Sequence, residues 1–123
     1  MTPADAQTPL EPSFVSATDL AAQICRREIS PVEVIDGLIA RIEAHNARTG
    51  AYVCVLAESA RLAAQAAERA VVRGPVGDLG PLHGVPVAIK DLGHFKAGVG
   101  NTFGSRPFAD FRRDEHLRPH PTP

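Results

Sequence analysis

The sequence predicts an α/β fold that is present only in part. Amphipathic runs of helical period alternate with short β-prone apolar runs, the pattern of helices laid against a sheet. Glycine and proline separate these runs, with four glycines and two prolines between Gly74 and Gly84. Residues 93–123 then show neither period over 31 residues, whereas unstructured connections beyond roughly 15 residues are uncommon inside compact domains. The domain therefore reads as unfinished.

The elements follow in order. Residues 1–15 form a flexible arm: three prolines precede Phe14 and few contacts offset the entropy of ordering them. Ser16, with Asp19 three places on, can cap a helix over about 18–27 whose apolar face holds Leu20 and Ile24. Ser30-Pro31-Val32-Glu33 is a stronger start, because serine caps, proline suits the first turn and the glutamate reaches back to the serine amide. A second helix over about 31–45 places Val32, Ile35, Ile39 and Ile42 in one stripe. Asn46 to Gly50 is turn chemistry, and the β-formers of 51–56 predict a buried strand. A third helix over about 57–73 carries Ala60, Ala63, Ala64, Ala67, Ala70 and Val71, small residues that permit close approach to a neighbour. Gly74-Pro75 ends it. After the glycine-rich loop, Val85-Pro86-Val87-Ala88-Ile89-Lys90-Asp91 predicts a strand over about 85–91, its proline near the start, where a strand tolerates one.

Composition excludes several roles. The 123 residues are 44% hydrophobic and 22% charged with a formal charge of −1, the balance of an ordinary globular chain with one domain as its ceiling. Basic residues are interspersed with acidic ones, so no nucleic-acid surface is expected. No apolar run nears the roughly 18 residues that span a bilayer and no charged-then-apolar leader opens the chain; no membrane role and a cytoplasmic address are the expectation. Cys25 and Cys54 lack metal-ligand or CxxC spacing and read as reduced, small core residues. His116 and His120 stand four apart, but Pro119 between them opposes the helix that would aim both at one metal. No cofactor or metal is called for, and oligomeric state is not encoded in any visible pattern.

Lys90 is the one candidate catalytic residue. A lysine ending an apolar strand between glycine-rich loops becomes a base when burial disfavours its ammonium form; the plainer reading is a strand end meeting water. Val87-Ala88-Ile89-Lys90 matches the short kinase signature, yet no G-x-G precedes it and neither H-R-D nor D-F-G follows. The longer run Gly80-Pro81-Leu82-His83-Gly84-Val85-Pro86-Val87-Ala88-Ile89-Lys90-Asp91, followed by Thr102-Phe103-Gly104-Ser105, closely resembles the first block of the amidase signature family. The course from Leu20-Ala21 through Ser30-Pro31-Val32-Glu33-Val34, Arg41 to Asn46 and Ala51-Tyr52-Val53 is similar to that family too, so the resemblance covers about residues 16–115.

The resemblance implies the N-terminal part of a mixed-sheet α/β/α fold and hydrolysis or transfer of small-molecule amides. The family uses a serine nucleophile, a second serine held through a cis peptide, and a lysine base, onto which Lys90 maps. Serine is a poor nucleophile near neutrality, so a neutral lysine acting through a bridging hydroxyl can take its proton and return it to the leaving amine, while backbone donors stabilise the oxyanion. The Gly/Ser-rich block that holds both serines lies many tens of residues past the lysine in the family, and no G-G-S-S-G-type stretch occurs in these 123 residues. The expectation is thus a truncated fragment inactive by itself: a partial domain over 16–115 and a non-family tail over 116–123, after a break near His116 where three prolines in five residues cannot continue a helix. Leu92-Gly93-His94-Phe95-Lys96 is looser than the family pattern. Ser105 as a local nucleophile reads instead as a turn residue, and His83 as a loop histidine bonded to backbone. The rival readings are a non-catalytic helical docking module and a gene remnant.

Overall fold

The structure, a computed structural model, describes residues 14–92 and 96–113. It divides into two compact units, Met1–Pro86 and Val87–Pro123. Among the described residues the first holds three α-helices, α1 (Ala17–Cys25), α2 (Pro31–Thr49) and α3 (Ala57–Arg73), and a 3₁₀ turn at Val76–Asp78. The described residues of the second hold a 3₁₀ turn at Arg106–Phe108 and one antiparallel bridge, Gly100 to Arg112.

Local chemistry sets the helix starts. The Ser16 hydroxyl accepts from the Asp19 amide at 3.1 Å and donates to the Asp19 carboxylate at 2.6 Å, so α1 begins where the cap predicts. At α2 the reciprocal box forms: Ser30 Oγ accepts from the Val32 amide at 3.0 Å, and the Glu33 carboxylate accepts from the Ser30 amide at 3.1 Å. The Ser30 hydroxyl also donates to Glu68 of α3 at 2.5 Å, which ties the start of α2 to its neighbour. No side chain caps α3.

The ends differ more. α1 stops at Cys25, two residues before the expected Arg27. The Arg27 amide donates to the Ile24 carbonyl and the Glu28 amide to the Gln23 carbonyl, both at 2.9 Å, a paired closure that needs a left-handed residue between them. Arg27 takes that conformation at φ +60° without being glycine. Its guanidinium compensates by donating to the Val71 carbonyl at 3.1 Å, in the last turn of α3. α2 runs on to Thr49 rather than ending near His45, so the expected turn over 46–50 reduces to Gly50, left-handed at φ +58°.

Leu20, Ile24, Val34 and Val71 form the centre of the first unit, with Val15, Ile29, Leu38, Leu79 and Val85 packed around them. The stripe of α2 that faces inward is Pro31, Val34 and Ile39; Val32, Ile35 and Ile42, expected there with Ile39, are only half-buried. Both Val34 and Ile35 are apolar, so period alone permits two stripes one residue apart, and packing against α3 selects between them. Ala64 is buried, as close approach of α3 requires, and Arg61 pairs with Asp36 at 2.6 Å on the exposed rim of the α2–α3 contact. Cys25 is half-buried and Cys54 exposed, both free, so Cys54 is no core residue.

The strands expected over 51–56 and 85–91 do not form; among the described residues, no ladder exists beyond the single bridge. Backbone groups of a strand need a partner edge. Tyr52 finds one elsewhere, because the Asn46 side chain accepts from its amide and donates to its carbonyl, each at 2.9 Å. Most apolar side chains of the two runs stay in solvent, with Val53 68%, Val87 81% and Ile89 60% exposed, while Val85 packs against the core. The fold described is therefore helical with extended segments. The bulk of the arm and the tail, with His116 and His120, lies outside the described residues, and no described helix is long and apolar enough to cross a membrane.

Candidate functional site

Residues 80–84 and 85–90 bring the motif to its place. Gly80 to Gly84 make turns within the first unit, and Gly84 is left-handed at φ +78°. A Cβ there would stand 3.2 Å from Ile24 Cγ2 and 3.2 Å from Pro31 Cγ, so the motif glycine is required by conformation and by close packing together. His83 sits in the same turn with its Nε2 2.9 Å from the Ala67 carbonyl, the backbone-bonded arrangement the sequence suggests; the N–H of that ring nitrogen donates. Val85 closes on the core, and from Val87 the chain is exposed.

Lys90 ends this extended segment with its side chain exposed. The burial that would favour a lysine base is not provided by the described residues. The next residue is far more engaged. Asp91 accepts from the Thr102 amide at 2.7 Å and from the Thr102 hydroxyl through a short hydrogen bond. The hydroxyl oxygen accepts in turn from the Gly104 amide at 3.2 Å. The Thr102 hydroxyl, with help from the backbone amides of Thr102, Phe103 and Gly104, holds the Asp91 carboxyl below the usual aspartate range, against the opposing effect of partial burial. Phe103 and Gly104 are both left-handed, at φ +52° and +67°, in the turn whose amides face the Asp91 carboxylate.

The turn is braced from behind. Phe103, Phe108 and Phe111 pack edge to face or tilted, with ring centroids 5.4 to 6.1 Å apart. The Asn101 amide donates to the Phe111 carbonyl at 3.0 Å and the Gly98 amide to the Arg113 carbonyl at 2.9 Å. Ser105 belongs to this framework: its amide donates to the Thr102 carbonyl at 2.8 Å, and its carbonyl accepts from Phe108. Among the described residues no hydrogen bond joins Ser105 to Lys90. The structure thus brings together the two halves of the sequence motif, Asp91 and Thr102 to Ser105, across eleven residues. No period or cap in the sequence links Asp91 to Thr102; the one trace of the contact there is that both residues belong to the motif formed by 80–91 and 102–105.

No group of three or more potential metal ligands gathers among the described residues. A groove in the first unit, about 210 Å³ and lined by Arg27, Glu28, Ser30, Glu33, Glu68 and neighbouring apolar residues, lies beside the α2 cap.

A family model described as Amidase matches residues 33–116. The chain is 43% identical over 91 residues to an amidase of Pseudomonas putida, covering 74% of this chain and 19% of the relative. It is 41% identical over 93 residues to a glutamyl-tRNA(Gln) amidotransferase subunit from Geobacter sulfurreducens, covering 76% of this chain and 18% of that one. It is 38% identical over 97 residues to an acylamidase of Rhodococcus erythropolis, covering 79% and 20% respectively. The chain spans about a fifth of the length of these relatives. No solved structure matches it.

Proposed function

The chain belongs to the amidase family, and on that premise we propose that it carries the lysine-bearing N-terminal part of a carbon–nitrogen hydrolase, with Lys90 as the general base and a small-molecule amide as substrate. The observation that carries this reading is the family match across 33–116, which includes the whole Lys90 segment and the turn that Asp91 grips. Relatives named amidase and acylamidase favour hydrolysis; the amidotransferase relative keeps transfer of amide nitrogen as the second form of the same chemistry.

In this reading Lys90 takes a proton from a serine nucleophile through a bridging serine and later gives it to the departing amine. Both serines lie outside these 123 residues, which hold no G-G-S-S-G-type stretch. In a chain of the relatives' length the runs 51–56 and 85–91 gain strand partners and become part of a mixed sheet, which covers Val87 and Ile89 and removes Lys90 from bulk water. Residues 16–115 act as the partial domain, which the family match over 33–116 supports, and Val15, expected in the arm, packs against its core; 116–123 are a non-family tail. A cytoplasmic address belongs to the same proposal.

The test is a chimera in which residues 16–113 replace the matching segment of the Pseudomonas putida amidase, assayed for release of ammonia or amine from simple amides. The 123 residues alone should show no hydrolysis, the chimera should be active, and Lys90→Ala should lower its kcat by roughly 10²- to 10⁴-fold, the share a general base usually supplies. Full activity in the Lys90→Ala chimera would remove Lys90 from the chemistry.

A further inference from the structure

Residues 85–90 have no ladder partner in the described structure, so their own backbone does little to fix the position of the lysine that ends them. The neighbouring side chain does what a ladder would. Asp91 holds the Thr102 amide and hydroxyl, and the turn it grips is itself braced by three phenylalanine rings and by the Asn101–Phe111 and Gly98–Arg113 backbone bonds. Adjacent Cα atoms lie only about 3.8 Å apart across a trans peptide. Anchoring Asp91 therefore restricts where Lys90 can stand and which way its side chain leaves the backbone.

We propose that Asp91 is a positioning residue for Lys90: its carboxylate clamps the Thr102–Gly104 turn and so holds the lysine end of the extended segment in place. The inference rests on the reading of Lys90 as the base, since only then does its placement matter to catalysis. A carboxylate suits the task better than a neutral side chain. It accepts from the Thr102 amide and hydroxyl at once, and a charged acceptor makes stronger bonds. It also offsets two consecutive left-handed residues, one of them Phe103, which such a turn would otherwise disfavour.

The experiment is a pH titration of the isotope-labelled 123-residue chain by NMR, from about pH 6 to about pH 3, following the backbone signals of Ile89, Lys90 and Thr102. The Asp91 carboxyl is held low, so the clamp is intact above the ordinary aspartate value and opens only as pH falls through the lowered one. Lys90 and Thr102 should move together with one midpoint, below that of an unperturbed aspartate. Asp91→Asn keeps an acceptor for the Thr102 amide; it should abolish this titration while leaving Lys90 ordered. Asp91→Ala should lose both, with the backbone order parameter of Lys90 falling below about 0.6 and amide exchange at Thr102, which donates to Asp91, rising about tenfold or more. Asp110, the other carboxylate among the described residues of this unit, provides the control: Asp110→Asn should leave the titration unchanged.

The proposal fails if Lys90 stays still while Thr102 titrates, or if its movement follows Asp110. Should Asp91→Ala unfold the unit, the titration of the unaltered chain decides alone. No substrate enters this measurement. Coupled titration beside an active Lys90→Ala chimera would count against the lysine as base and leave the clamp standing, whereas uncoupled titration beside a dead one would do the reverse.

Discussion

Replacing Gly84 with alanine tests the packing of the motif loop against the helices. Two costs add. A non-glycine residue at φ +78° pays roughly 1–2 kcal/mol for the left-handed conformation. The new methyl group, 3.2 Å from both Ile24 Cγ2 and Pro31 Cγ, forces side chains of a filled core to shift, typically about 1–3 kcal/mol. Lower entropy in the unfolded chain returns about 0.4–1 kcal/mol. The net loss is about 1–5 kcal/mol, a large share of the stability of so small a core. Urea unfolding followed by helical circular dichroism reads it: with a slope near 1 kcal/mol per molar, the midpoint should fall by about 1 M or more. Gly50→Ala is the control, because Gly50 is also left-handed at φ +58° yet has nothing within 4 Å of its would-be Cβ. It should bear the backbone cost alone. Equal midpoints for the two variants would refute the argument, since they would show that Ile24 and Pro31 yield freely.

Three further outcomes rest on single contacts. Arg27→Gly should be more stable than Arg27→Ala by about 1 kcal/mol in the same urea assay, because both lose the bond to the Val71 carbonyl but only alanine keeps the strain at φ +60°. Ser30→Ala should cost about 1–2 kcal/mol, at the upper end for a helix cap, since the hydroxyl serves the Val32 amide and Glu68 together; thermal melting checks it. Asn46→Ala should leave the helices in place and raise the hydrogen-exchange rate of the Tyr52 amide by about fivefold, as a bond worth roughly 1 kcal/mol is lost.

The features legible in the residues alone are local or comparative. Ser16 with Asp19, and Ser30 with Glu33, start their helices because each cap closes within three residues and needs no distant partner. The twelve residues from Gly80 to Asp91 name the family for a different reason: a side-chain pattern can be compared without being folded, and the match across 33–116 bears it out. Whatever depends on a remote group emerged only in the folded chain. Strand-forming residues at 51–56 and 85–91 cannot pair without an edge to pair with, so propensity there produced exposed extended chain, and the Asn46 amide took the bonds of Tyr52 instead. Arg27 could end α1 in a conformation suited to glycine because the carbonyls of Val71 and Val72, far along the chain, receive its guanidinium. The choice between the Val34 and Ile35 faces of α2 waited on α3 in the same way. Asp91 and Thr102 stand eleven residues apart, and no period or cap links them; two left-handed residues and three packed rings bring the threonine to the carboxylate.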